Sequence, residues 1–237
     1  MKRFLFELCA ETLDAAQAAE RGGADRIELC SQLEIGGVTP DDALLKTVLA
    51  ELTIPVHVLI RPRGGDFVYS AAEFAQIRRE IAHAKEAGAA AAVAGVLQGD
   101  GRVDVARSRV LVEDARPMRF TFHRAFDVTR ELHEALEAVI ATGADCLLTS
   151  GGAPDVLTGA DALARLVAQA GDRIDILAGG GMRLATLGEL LRRTGVRWVH
   201  GSLTCRDSDA TMEDDVRTVM WVLRQHEEAE REHRGDA

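Results

Sequence analysis

Two short runs, "FELC" (6–9) and "IELC" (27–30), each set a glutamate two residues before a cysteine at the end of an apolar stretch. Residues two apart on a strand share a face, so Glu7 with Cys9 and Glu28 with Cys30 point the same way. Neighbouring parallel strands lie about 4.8 Å apart. In register, the two thiols would meet closely enough to hold one soft ion, and two thiolates suit linear Cu(I). The same residues also fit plain burial, because free cysteine is among the most buried residue types. Both readings stay open at this level.

Three further stretches carry chemistry. "IRPRGGDF" (60–67) places Arg61 and Arg63 around a proline and before a glycine pair, and paired arginines favour a carboxylate or a phosphate. "TFHRAFD" (121–127) offers His123, Arg124 and Asp127 in one passage, with an imidazole able to act as acid or base near neutral pH. "AGGGM" (178–182) and "HGS" (200–202) bring Gly179, Gly180, Gly181 and Ser202 to positions where loop N–H groups often hold anions. The acidic "QGDGRVD" (98–104) lacks the ligand count of a calcium loop. It reads as a turn followed by Asp104 capping a helix.

These residues need a frame. Short β-rich runs recur along the chain: "RFLFELC", "DRIELC", "IPVHVLIR", "AAAVAGVL", "RFTFHRAF", "DCLLTS", "DILAGGG" and "RWVHGS". Between them lie segments with apolar residues at helical spacing. The joints "GGADRIEL", "EAGAAAAV", "TGADCLLT" and "TGVRWVHG" repeat one form: glycine ends a helix and a strand begins. Repeated helix-to-strand joints without hairpin signals imply parallel strands, and eight of them imply a (β/α)8 TIM barrel. Its 237 residues match the about 250 typical of one such domain. An open doubly wound sheet fits less well, for no GxGxxG follows the first strand. The frame is therefore one domain over residues 1–237, with a final helix at about 211–230 and a charged tail expected to fray.

In a barrel, alternate strand residues point inward and function gathers where strands end. This phase sends Phe4, Phe6 and Leu8 outward and Glu7 and Cys9 inward, then Glu28 and Cys30, His57 and Arg61, Thr121 and His123, Leu147 and Thr149, and Trp198, His200 and Ser202. Charged side chains are seldom buried without partners. A salt-bridge ring of Glu7 and Glu28 with Arg61 is the bland account; a ligand site is the sharper one.

Composition removes several classes. A net charge of −10 and only 4% aromatic residues argue against nucleic acid and against anionic membrane surfaces. The start "MKRFLFELCAETLD" is too short in apolar residues for a signal peptide, and no run approaches the about 18 residues of a membrane span. The expected location is the cytoplasm. Four cysteines, Cys9, Cys30, Cys146 and Cys205, are too few for a disulfide framework and too scattered for a CxxC zinc signature. Reduced thiols are expected, and no organic cofactor is called for.

"FELC", "GGADRIELC", "GGVTP", "IPVHVLIRPRGGDFVYS", "GVLQGDGRVD", "TFHRAFD" and "LTSGG", spread over residues 4–205, together resemble the CutC copper-homeostasis family. The resemblance implies a cytosolic (β/α)8 barrel, a homodimer or higher homo-oligomer, and Cu(I) on cysteines at the ends of the first two strands, here Cys9 and Cys30. It also implies that Glu7, Glu28, Arg61, His123, Asp127, Thr149 and Ser150 belong to a shared barrel-mouth set. Two functions follow as expectations. One is Cu(I) binding through Cys9 and Cys30. The other is an enzyme for a small anionic metabolite, with Arg61, Arg63, Thr149, Ser150, Gly179, Gly180, Gly181 and Ser202 holding the anion. In it Glu28 or His123 would transfer a proton, with Glu7 and Asp127 in support.

Overall fold

Strand and helix alternate along the chain because each glycine-ended helix hands the backbone directly to a strand. A computed structural model describes residues 3–203 and 211–235. Its strands are β1 (Leu5–Ala10), β2 (Arg26–Leu29), β3 (Val56–Leu59), β4 (Ala91–Ala94), β5 (Arg119–Phe122), β6 (Cys146–Thr149), β7 (Asp175–Gly179) and β8 (Trp198–Gly201). Between and after them run α1 (Leu13–Gly22), α2 (Asp42–Glu51), α3 (Ala71–Ala87), α4 (Val105–Ala115), α5 (Leu132–Thr142), α6 (Ala160–Ala170), α7 (Leu184–Thr194) and α8 (Met212–Arg234). The strands pair in parallel in sequence order, and β1 closes against β8. The fold is the expected TIM barrel.

The local chemistry of the joints accounts for much of this order. Gly23 ends α1 at φ 89° and Gly143 ends α5 at φ 84°, a left-handed conformation that costs residues with a Cβ. N-termini are capped by side chains: Thr12 on α1, Asp41 on α2, Ser70 with Glu73 in a capping box on α3, and Asp104 on α4. Each such cap contributes about 1 kcal/mol. Asp104 does what the turn in "QGDGRVD" implied.

Side chains on the outer strand face, among them Phe6, Leu8, Ile27, Leu29, Phe120 and Phe122, are fully buried against the helices. Burying each stabilises the barrel by about 1.5–3 kcal/mol. The inner face divides into two small apolar clusters, Cys9, Cys30, Leu59 and Val93 on one side and Cys146, Leu148 and Leu177 on the other.

One strand runs in the opposite phase to that expected. Leu147 belongs to the outer core with the helices, while Cys146 and Leu148 face inward, so the inward assignment of Leu147 and Thr149 is corrected. In "DCLLTS" both faces are apolar, as they are wherever a parallel strand is covered on both sides, and alternation then gives no phase. α8 continues to Arg234, held by the Glu227–Arg231 pair one turn apart and by Arg197 of the β8 approach on Glu230.

Candidate metal and ligand site at the barrel mouth

The floor of the mouth is built on Glu7. Its carboxylate receives Arg26 Nε at 2.5 Å and His200 Nδ1 at 2.8 Å, and lies 3.2 Å from His57 Nδ1, with all four residues buried. Burial alone would push the Glu7 carboxyl up. The Arg26 charge, the hydrogen bond from His200 and the nearby His57 outweigh it and hold the group well below the usual carboxylate range. His57 is shifted downward by burial. For His200 burial is overcome by the bond to Glu7 and the nearby Glu28 charge, so its basicity rises. With Nδ1 committed to Glu7, His200 keeps Nε2 for the cavity, the arrangement by which carboxylates orient metal-binding histidines.

Above this floor sit the thiols. Backbone register pairs Cys9 with Glu28, not with Cys30, yet Cys9 Sγ lies 3.4 Å from Cys30 Sγ and 3.8 Å from Glu28 Oε1. Side chains lean along their strands, and that lean crosses the two-residue offset. A disulfide requires about 2.05 Å, so both are free thiols. The Cys30 contact, then burial and the Glu28 charge, raise the Cys9 thiol well above its ordinary value. Glu28 is pushed up to about 7, mainly by burial and also by Glu7, against the pull of His200.

Does this set fit a soft metal ion? One ligand atom each from Cys9, Glu28 and His200 fall within 4.8 Å of one another, all buried. With metal–sulfur bonds of about 2.3 Å, a straight S–metal–S unit would span about 4.6 Å. At 3.4 Å the Cys9 and Cys30 sulfurs match a bent unit that leaves room for a third donor, and Glu28 and His200 supply it. Sulfur with imidazole suits Cu(I); a hard ion would want more oxygen. The donors fit.

A cavity of about 200 Å³ opens over this set, lined among others by Cys9, Glu28, Cys30, Arg61, His123, Gly180, His200 and Ser202. Of the residues expected from the sequence, these gather Cys9, Cys30, Glu28, Arg61, His123, Gly180 and Ser202 in one place. Glu7 lies beneath them.

The others are placed differently. Arg63 turns to Glu73 Oε1 at 2.5 Å and to Asp66 Oδ1 at 3.0 Å, binding its loop to α3. Asp127 accepts from Thr149 Oγ1 at 2.5 Å, from Ser150 N–H and O–H, and from Gly152 N–H, and pairs with Arg124. Asp127, Thr149 and Ser150 thus fix the loop after β6 without lining the cavity. A Cβ on Gly179 would come within 2.6 Å of Leu148 Cδ1 and 2.9 Å of His200 Cβ, and one on Gly181 within 2.7 Å of Asp155 Cβ, so both permit close packing around the mouth.

The sequence reading missed Arg26, although the phase that turned Glu28 inward applies equally two residues earlier. His57 and His200 were placed inward without a role. Arg124, stacked on Gly180, and Phe67, under the Arg61 guanidinium at 4.7 Å, gave no periodic signal. Cys146 is buried on the other inner cluster, and Cys205 lies outside the described residues. A larger groove, of about 570 Å³, lies between the loop after β4 and α5 and shares no lining residue with the mouth cavity.

The fold and site define a (β/α)8 barrel whose mouth closes over a buried thiol, carboxylate and imidazole cluster. The chain belongs to the CutC family, whose sequence profile matches residues 4–205. It is 43% identical to a CutC family protein of Mesorhizobium japonicum over 88% of this chain and 80% of that one. It is 46% identical to one of Caulobacter vibrioides over 84% and 81%. Among solved structures it resembles a CutC protein of Streptococcus agalactiae that is provisionally assigned to copper homeostasis, with a TM-score of 0.79 and 31% identity over 84% of this chain and 98% of that one. A thiamine phosphate pyrophosphorylase of Pyrococcus furiosus, at TM-score 0.63 and 16% identity over 94% and 96%, shares the fold alone. Among the described residues no helix is long and apolar enough to cross a membrane.

Proposed function

We propose that this protein binds Cu(I) at the floor of its barrel mouth, through the sulfurs of Cys9 and Cys30 with His200 and Glu28 beside them, in a copper-handling role. The observation that carries the reading is the 3.4 Å approach of two buried, unbridged thiols. The Streptococcus agalactiae relative's assignment points the same way. Uptake would displace the Cys9 proton, because that thiol holds it more tightly than usual. One proton leaves as one Cu(I) enters, so the charge of the site is unchanged, and Glu28 offers an oxygen donor beside the sulfur and His200. Glu7 and Arg26 keep His200 oriented from below.

The test is an anaerobic Cu(I) competition titration against a chelator of known affinity, with Cys9→Ser, Cys30→Ser and the double variant alongside. One equivalent taken up by the wild type and lost from the double variant is expected. Equal competition by all four proteins would overturn the reading.

A further inference from the structure

The cavity exceeds what one ion fills. At about 30 Å³ for a water-sized group, its about 200 Å³ accommodates roughly six or seven non-hydrogen atoms. The side chains around its upper part, Arg61, Phe67 and His123, are not thiols. Two of them carry donors without acceptors.

His123 is 4% exposed. Its Nδ1 accepts the Ala125 N–H at 3.3 Å, which leaves the ring proton on Nε2, and Nε2 is buried with no protein partner among the described residues. The ring is also fixed in place. It meets the Phe67 ring at 5.0 Å between centroids, and a Cβ on Gly95 would stand 2.7 Å from Nδ1. Burial and the Arg61 charge push its pKa down to about 3, so near neutrality this is an uncharged N–H donor.

Arg61 is 5% exposed. Nη1 donates to the carbonyls of Ile35, Gly36 and Gly37 and Nη2 to that of Gly65, while buried Nε has no partner. Among the described residues no carboxylate pairs with this guanidinium. Carbonyls satisfy its N–H groups but do not neutralise it, and a buried charge without a counter-charge is costly.

We propose that this cavity binds a small carboxylate bearing an oxygen on the adjacent carbon, a 2-oxo or 2-hydroxy acid of about six non-hydrogen atoms, with the carboxylate at Arg61 and the second oxygen on His123 Nε2–H. The anion supplies the missing charge, and its second oxygen accepts the unclaimed imidazole proton. Phosphate fits less well, since Arg124, the second guanidinium lining the cavity, is already paired with Asp127. The site uses neither cysteine, so it stands or falls separately from copper binding.

Isothermal titration calorimetry on the reduced, metal-free full chain tests it with pyruvate, lactate, methyl pyruvate and inorganic phosphate. Pyruvate or lactate is expected to bind with one-to-one stoichiometry, with the uncharged methyl ester at least tenfold weaker. His123→Ala should weaken the acid at least tenfold, and His123→Gln should restore part of the loss through its amide N–H. Absence of binding at millimolar acid, equal binding of acid and ester, preference for phosphate, or full affinity in a folded His123→Ala protein would each overturn the proposal. The ester comparison needs no variant, so it decides the matter even where His123→Ala does not fold.

Discussion

Replacing Glu28 with Gln should stabilise the protein, and increasingly so as pH rises. Glu28 is 4% exposed and its Oε2 has no protein partner among the described residues. Burial is the main cause of its raised pKa, with Glu7 adding to it and His200 opposing. Unfolded, the carboxyl ionises near 4.5; folded, near about 7. Between those values the native state keeps a proton that the unfolded chain has released, so the wild type loses stability as pH rises through that window. At 1.36 kcal/mol for each factor of ten, the loss is about 1 kcal/mol at pH 5.5 and levels off at about 3 kcal/mol above pH 8. Glutamine keeps the volume and ionises in neither state, so Glu28→Gln escapes that loss. Thermal unfolding of metal-free wild type and variant should therefore differ modestly at pH 5.5 and by about 8 °C at pH 8.5. A variant no more stable than the wild type at pH 8.5, or a difference that does not change with pH, would refute the reasoning.

The other predictions concern groups with opposite needs. Glu7→Gln removes the counter-charge of buried Arg26 and the acceptor of His200; it should cost about 3–5 kcal/mol, read as a fall in unfolding temperature of roughly 10 °C. Because the Glu7 pKa is depressed in the fold, that stabilisation is present above pH 4.5 in the wild type and is lost as pH falls through the folded value, so the gap between the two proteins should shrink in acid. Asp127→Ala removes the acceptor shared by Thr149, Ser150 and Gly152 and should cost about 2–3 kcal/mol, with faster amide exchange at Ser150 and Gly152 than elsewhere in the barrel. Cys9, buried and held well above its usual pKa, should react with iodoacetamide at pH 7.5 at least tenfold more slowly than a free model thiol; reaction at the model rate would contradict the raised pKa.

Much of the barrel is legible in the sequence because the backbone leaves few alternatives. Gly23, Gly88, Gly143 and Gly195 all end helices in the left-handed region, and that requirement marks the joints. Period-two phase finds Glu7, Cys9, Glu28, Cys30 and His200 because a polar residue on one face contrasts with Phe6, Leu8, Ile27 and Leu29 on the other. It fails on β6, where Leu147 and Leu148 offer no contrast.

What stays hidden depends on loops and on tilt. Arg61 faces four carbonyls from two different loops, and no spacing in one chain announces such a cradle. Arg63 looks like its twin in "RPR" but lies one turn of backbone further out, where Glu73 captures it. The meeting of Cys9 and Cys30 is not implied by their register, which sets Cys9 opposite Glu28; it arises from side chains leaning across the offset.

The most direct test of the copper assignment is X-ray absorption at the copper K-edge on protein loaded anaerobically with one equivalent of Cu(I). The expected spectrum contains two sulfur scatterers and one nitrogen or oxygen, with both sulfurs lost in the Cys9→Ser, Cys30→Ser protein. A wild-type spectrum fitted by nitrogen and oxygen alone, or one unchanged by the double substitution, would contradict the account.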